Sequence, residues 1–215
     1  MAPSANKSST AKTPLELIAK DIDDSGVIDP VVFVYQKNED HFFEQYPVHF
    51  WSNLSQQSPY FIQKFANYRE FSRATKTEYL EDTVFENALS LRVNQDQSVV
   101  IENLGGGKFK STPLAVEAQL APINAIYVQK NNSLGHRIFM VGNDFGGNPF
   151  EGDYDALRGL ILEGTHQNKS LKPTHFSGFT VEVVGTDIQE IKLENNKKLI
   201  LVPRNKYRIL VFELN

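Results

Sequence analysis

Cysteine is absent from this chain of 215 residues. That excludes disulfide staples, thiolate zinc sites, iron–sulfur clusters and cysteine nucleophiles, and it leaves the cellular compartment open. An excess of positive charge is also missing. Lys and Arg number 22 against 26 Asp and Glu, a formal net charge of −4. Phosphate backbones gain no attraction from such a surface, so no nucleic-acid partner is expected. No apolar run approaches the roughly 18 residues of a membrane-spanning helix, so no membrane span is expected. The first 13 residues, MAPSANKSSTAKT, lack the apolar core of a secretion signal and are expected to form a disordered leader. There is no Gly-x-Ser-x-Gly elbow for a serine hydrolase. The triple glycine Gly105-Gly106-Gly107 is followed by Lys108 without the Ser or Thr of a phosphate loop. It reads as a hairpin turn that needs positive φ. His41, His49, His136, His166 and His175 show no metal-binding spacing and are expected at turns or on the surface.

What is present is ordinary for a folded domain: 40% hydrophobic and 22% charged residues. Short apolar runs between turn residues predict strands at Leu15–Lys20, Val31–Tyr35, Ser98–Glu102, Ala125–Val128, Ile138–Val141 and Leu160–Leu162. Four more are predicted at Phe179–Val184, Ile188–Leu193, Leu199–Val202 and Ile209–Leu214. Between residues 46 and 92 the texture turns helical. Ser58-Pro59 reads as a helix start, Asn67 as the cap of a second helix, and Leu80 to Leu91 as a third. The expected fold class is all-β, antiparallel, with a small helical insertion at about 50–93, either a sandwich or a propeller.

The sharpest local signal is Asp21-Ile22-Asp23-Asp24-Ser25-Gly26-Val27-Ile28-Asp29. Asp21, Asp23, Ser25 and Asp29 carry oxygen at alternating loop positions, Gly26 sits at the sharp bend, and Val27 offers its backbone carbonyl. Such a curled run suits calcium, a hard ion that takes six to eight oxygens. The bidentate Glu that closes a helix-flanked calcium loop is replaced by Val32, so a strand–loop–strand site is expected instead. The same residue types also build an acidic turn without metal. Two weaker signals complete the survey. Glu151 with Asp153-Tyr154-Asp155 could supply acid and base for glycoside cleavage, though Tyr154 and Asp155 are expected to lock a loop by hydrogen bonding. Tyr46, Phe50, Trp51 and Tyr60 could stack on sugar rings, but are expected to bury the insertion against its sheet.

The acidic loop followed by a buried strand is similar to the FG-GAP/VCBS repeat of integrin-type β-propellers. From Leu17 onward the chain resembles the C-terminal part of Bacteroidetes proteins related to cartilage acidic protein. The stretches that carry the resemblance are Asp21–Pro30, Gln57–Ala74, Ser98–Phe109, Pro113–Gln119, Ala121–Ile123, Gly142–Asn143, Tyr154–Ala156 with Gly159, and Leu199–Phe212. The resemblance implies a partial propeller of about three four-stranded blades over residues 14–215, and export to the cell envelope or beyond. It implies a non-enzymatic, calcium-stabilised segment for surface binding or assembly, with a protein or glycan ligand at a blade face or self-association through open blade edges. A carbohydrate-active enzyme or module using loop carboxylates, and a structural fragment of a longer propeller, are the competing readings. The family's second acidic loop corresponds to Gln129–Arg137, where Gln129 and Arg137 replace the outer aspartates, so that site is expected to be lost. Asp153 stands where the family tends to carry a basic residue.

Overall fold

The structure, a computed structural model, describes residues 12–131, 135–145, 152–164, 171–174 and 178–214. It is mostly β, with four separate antiparallel sheets and one group of short helices. The chain divides into two compact units, Met1–Asp96 and Gln97–Asn215. Among the described residues no helix is long and apolar enough to cross a membrane.

In the first unit β1 (Leu15–Lys20), β2 (Asp29–Lys37), β3 (Phe43–Pro47) and β4 (Leu89–Val93) form one sheet in the order β3-β2-β1-β4. Side chains alternate across a strand. Glu16 and Ile18 of β1, with Asp29, Val31 and Phe33 of β2, therefore share the buried face. The register pairs Glu16 with Phe33, Ile18 with Val31 and Lys20 with Asp29. Five short helices cover that face: α1 (Trp51–Gln57), α2 (Pro59–Lys64), α3 (Tyr68–Arg73), α4 (Lys76–Tyr79) and α5 (Asp82–Phe85). Leu54, Phe61, Phe65, Phe71, Tyr79, Leu80 and Val84 pack with Ile18, Val31 and Phe33 into one core. The Tyr79 hydroxyl is buried there without a hydrogen-bond partner. Ser58 caps α2 and Asn67 caps α3, as their sequence positions predict.

The predicted third helix is not one. Thr75 and Glu78 form a capping box that starts α4, and Asn87 turns the backbone left-handed at φ 61° after α5. Leu89, Leu91 and Val93 then alternate as a strand along the edge of β1. The apparent helical spacing of Leu80 to Leu91 spans a single helical turn, α5, and the start of a strand. Strand β3 and helix α1 were hidden in the same aromatic-rich block, which mixes both periodicities.

In the second unit β5 (Val99–Gly105) and β6 (Lys108–Pro113) form a two-stranded hairpin. Gly106 and Gly107 make its turn, both at positive φ (58° and 76°). Strands β7 (Ile123–Asn131), β8 (Gly135–Gly142), β9 (Leu160–Gly164) and β10 (Lys172–Thr174) pair in sequence order as a four-stranded meander. Strands β11 (Gln189–Lys192), β12 (Lys198–Arg204) and β13 (Tyr207–Leu214) form a three-stranded one. Phe139, Val141 and Ile161 on one face of the meander pack with Phe179, Val181, Ile188, Ile200 and Val202. Met140, Leu160 and Leu162 on the other meet Ala118, Ala121 and Leu157. The predicted strand Phe179–Val184 is irregular. Phe179 and Val181 are buried in alternation, but Val183 at φ 65° breaks any ladder. A Cβ on Gly142 would lie 1.8 Å from the Pro122 carbonyl, so only glycine fits there. Its neighbour Asn143 is buried and donates to the carbonyls of Leu157 and Val183 (2.8 and 3.0 Å) while accepting from Leu157 N–H.

The all-β class with a helical segment is therefore present. The described residues show separate sheets rather than a closed ring of blades.

Candidate metal centre

The acidic loop joins β1 to β2. Asp21 follows the last residue of β1 and Asp29 opens β2. One carboxylate oxygen from each of Asp21, Asp23 and Asp29 lies within 4.8 Å of the others. Backbone donors hold the loop in its curl. Asp21 accepts from Ser25 N–H (2.9 Å) and Gly26 N–H (2.6 Å), and Asp23 accepts from Ser25 N–H (3.2 Å). Gly26 takes φ 85°, and Asp24 points its exposed side chain away at φ 55°. Ser25 Oγ accepts from Val27 N–H at 3.4 Å.

Asp29 differs from the other two because it is 1% exposed. Its Oδ2 accepts from Ile22 N–H at 3.0 Å. Burial raises its pKa, and the charges of Asp23 and Asp21 add to the rise, against the lowering by the Ile22 hydrogen bond. Asp23 is shifted the other way, chiefly by the Ser58 hydroxyl. Among the described residues no Lys or Arg pairs with any of the three carboxylates. The adjacent Lys20 is engaged elsewhere: its ammonium donates to the carbonyls of Thr83 and Glu86, both at 3.0 Å, around the end of α5. Three hard oxygen donors converging without a counter-charge are a donor set that fits a divalent cation.

Two contributors were not foreseen from sequence. Ser58 Oγ donates to Asp23 Oδ2 at 2.6 Å while accepting from Tyr60 N–H, so one hydroxyl both starts α2 and orients a loop carboxylate. The adjoining Gln57 donates to the Pro30 carbonyl at 3.4 Å. Ser58-Pro59 signals the helix start, but nothing local signals a contact with a residue so distant in sequence.

The corresponding hairpin of the second unit is built differently. Gln129 pairs across from Arg137, and the ladder continues to Asn131 and Gly135. Arg137 Nε donates to Glu163 of β9 at 2.7 Å. Residues 132–134 of that predicted loop lie outside the described residues.

The remaining candidates fall apart as sites. Glu151, His166 and His175 lie outside the described residues, and Asp153 and Asp155 are exposed. The lock expected of Tyr154 and Asp155 is made instead by the Tyr154 backbone, paired with Asp144, and by the Asn143 side chain. His49 is not a plain surface residue: its Nε2 accepts from Val32 N–H at 3.1 Å. The four aromatics separate. Trp51 donates to the Phe61 carbonyl (3.0 Å), Tyr60 donates to the Tyr79 carbonyl (3.3 Å), and both pack on the core. Tyr46 and Phe50 line an open cleft.

Compared with protein-family profiles, curated proteins and solved structures, the chain gives no match.

Proposed function

We propose that the chain is a non-enzymatic, calcium-stabilised segment of a β-propeller of the FG-GAP/VCBS kind, serving in surface binding or assembly. One observation carries the metal: Asp29 is buried, faces Asp21 and Asp23, and among the described residues is paired with no Lys or Arg. Asp21, Asp23 and Asp29 would supply carboxylate oxygens, with Ser25 Oγ and the Val27 carbonyl completing the set. Calcium there would join the end of β1 to the start of β2 and, through Ser58, fix the first turn of α2. The ion acts on shape alone, and binding to the folded form stabilises it by mass action. The sequential meander β7-β8-β9-β10 supports the blade reading, since a propeller repeats such four-stranded units around an axis. Edge strands β7 and β13 leave Ile126, Val128, Ile209 and Val211 exposed, as the rims of an incomplete ring would.

The test is thermal melting with added calcium against the chelator EGTA. At a hundredfold excess over Kd the ion should add about 2.7 kcal/mol. Asp21→Ala should abolish that difference. Equal melting curves for the parent protein in calcium and in EGTA would remove the metal from this reading.

A further inference from the structure

The cleft lined by Tyr46 and Phe50 lies in the first unit, between the end of β2, the end of β3 and the last turn of α3. Its volume is about 570 Å³, within the range that seats a small ligand. Phe71 extends the aromatic wall, and Gln36, Lys37, Asp40 and Arg73 form the polar one. Those polar groups are largely uncommitted. Among the described residues the Gln36 amide and the Asp40 carboxylate make no hydrogen bond or ion pair. The Lys37 ammonium only overlies the Phe43 ring at 5.5 Å. The Arg73 guanidinium meets only Glu39, at 3.5 Å and in solvent.

The chemistry of the lining selects among ligands. An apolar molecule would strip water from these groups and return no hydrogen bonds. A polyanion would meet Glu39 and Asp40, and a polycation would meet Lys37 and Arg73. A peptide adding to the edge of β3 would find Pro47, which has no N–H to offer. A sugar fits both walls. Its hydroxyls donate to carboxylate and accept from amide, ammonium and guanidinium, while its C–H face packs on an aromatic ring. We infer that this cleft binds a short oligosaccharide. The inference names the ligand class of the binding role proposed above and rests on that role, but it does not require the metal.

The intact protein, in calcium, is passed over an array of neutral, amino-sugar and uronic-acid oligosaccharides, with linear peptides on the same surface. At least one glycan is retained, and Asp40→Ala or Gln36→Ala weakens it about tenfold, the loss of one or two hydrogen bonds. Asp40 is exposed, so its variant keeps the parent's melting temperature and circular dichroism. Retention of no glycan, of peptides only, or of glycans with equal strength by parent and variants overturns the inference. The EGTA melting experiment separates the two readings. Glycan retention without a chelator effect keeps the cleft and rejects the ion; a chelator effect without glycan retention does the reverse.

Discussion

The β1–β2 hairpin buries two carboxylates, Glu16 at 2% exposure and Asp29 at 1%, and treats them in opposite ways. Glu16 is surrounded by the protein's own donors. Lys76 of α4 sits at 2.7 Å, Arg92 of β4 at 3.1 Å, Gln45 of β3 at 2.8 Å and Ser90 of β4 at 2.9 Å. Burial alone would raise its pKa, but the hydrogen bonds from Lys76, Gln45 and Ser90 and the Lys76 charge hold it at about 2. Asp29 has a backbone donor in Ile22, a lesser contribution from the Gln57 amide and two neighbouring anions, and its burial raises its pKa. Buried charge must be matched. One end of the hairpin supplies the match from within; at the other, no Lys or Arg among the described residues supplies one. In the second unit Arg137 pairs with Glu163, but that carboxylate is half-exposed and poses no comparable demand.

Three experiments sharpen this contrast. The largest effect belongs to Lys76→Met, which strands Glu16 without its closest cation. Loss of one partner of a buried pair costs about 3–5 kcal/mol, read as a fall in the midpoint of urea unfolding. Next comes acid. The folded pKa of Glu16 lies below its usual 4.5, so its contribution is complete above pH 4.5 and is lost as pH falls towards 2. At roughly 1.4 kcal/mol per pKa unit, about 3 kcal/mol disappears over that window in the parent protein. A Glu16→Gln variant should show a flatter acid limb. An acid limb as steep as the parent's would mean that other carboxylates carry it. Smallest is Asp29→Asn, and its sign depends on the medium. In EGTA at pH 7 it removes a repelled anion and should raise stability by on the order of 1 kcal/mol, the strongest-screening limit for charges about 4 Å apart in water. In calcium it should lower stability, because a ligand is gone. A change of the same sign in both media would break the contrast between the two ends of the hairpin.

The sequence made visible what depends on near neighbours. The continuous apolar run Val31-Val32-Phe33-Val34-Tyr35, the cap pair Ser58-Pro59, Asn67 before Tyr68, and the glycine turn all describe local backbone chemistry, and each stands where expected. The acidic loop belongs with them, since its oxygens converge within one short bend. Errors arose where one apolar spacing serves two geometries. Leu80 to Leu91 satisfies a helical count, yet Asn87 ends the helix and the following leucines pair with β1. Phe179 and Val181 alternate like a strand but fill the core from an irregular segment. Invisible altogether were partners far apart in sequence. Glu16 stands in a short predicted strand with no partner near it in sequence, and only the return of β4 and the docking of α4 reveal it as the most heavily bonded acid of the first sheet.

Lys20 has a consequence of its own. Its ammonium is moored on the Thr83 and Glu86 carbonyls, one residue from the first loop aspartate. The charge nearest in sequence to the three acids is thus spent on the end of a single helical turn, and the loop is left without it.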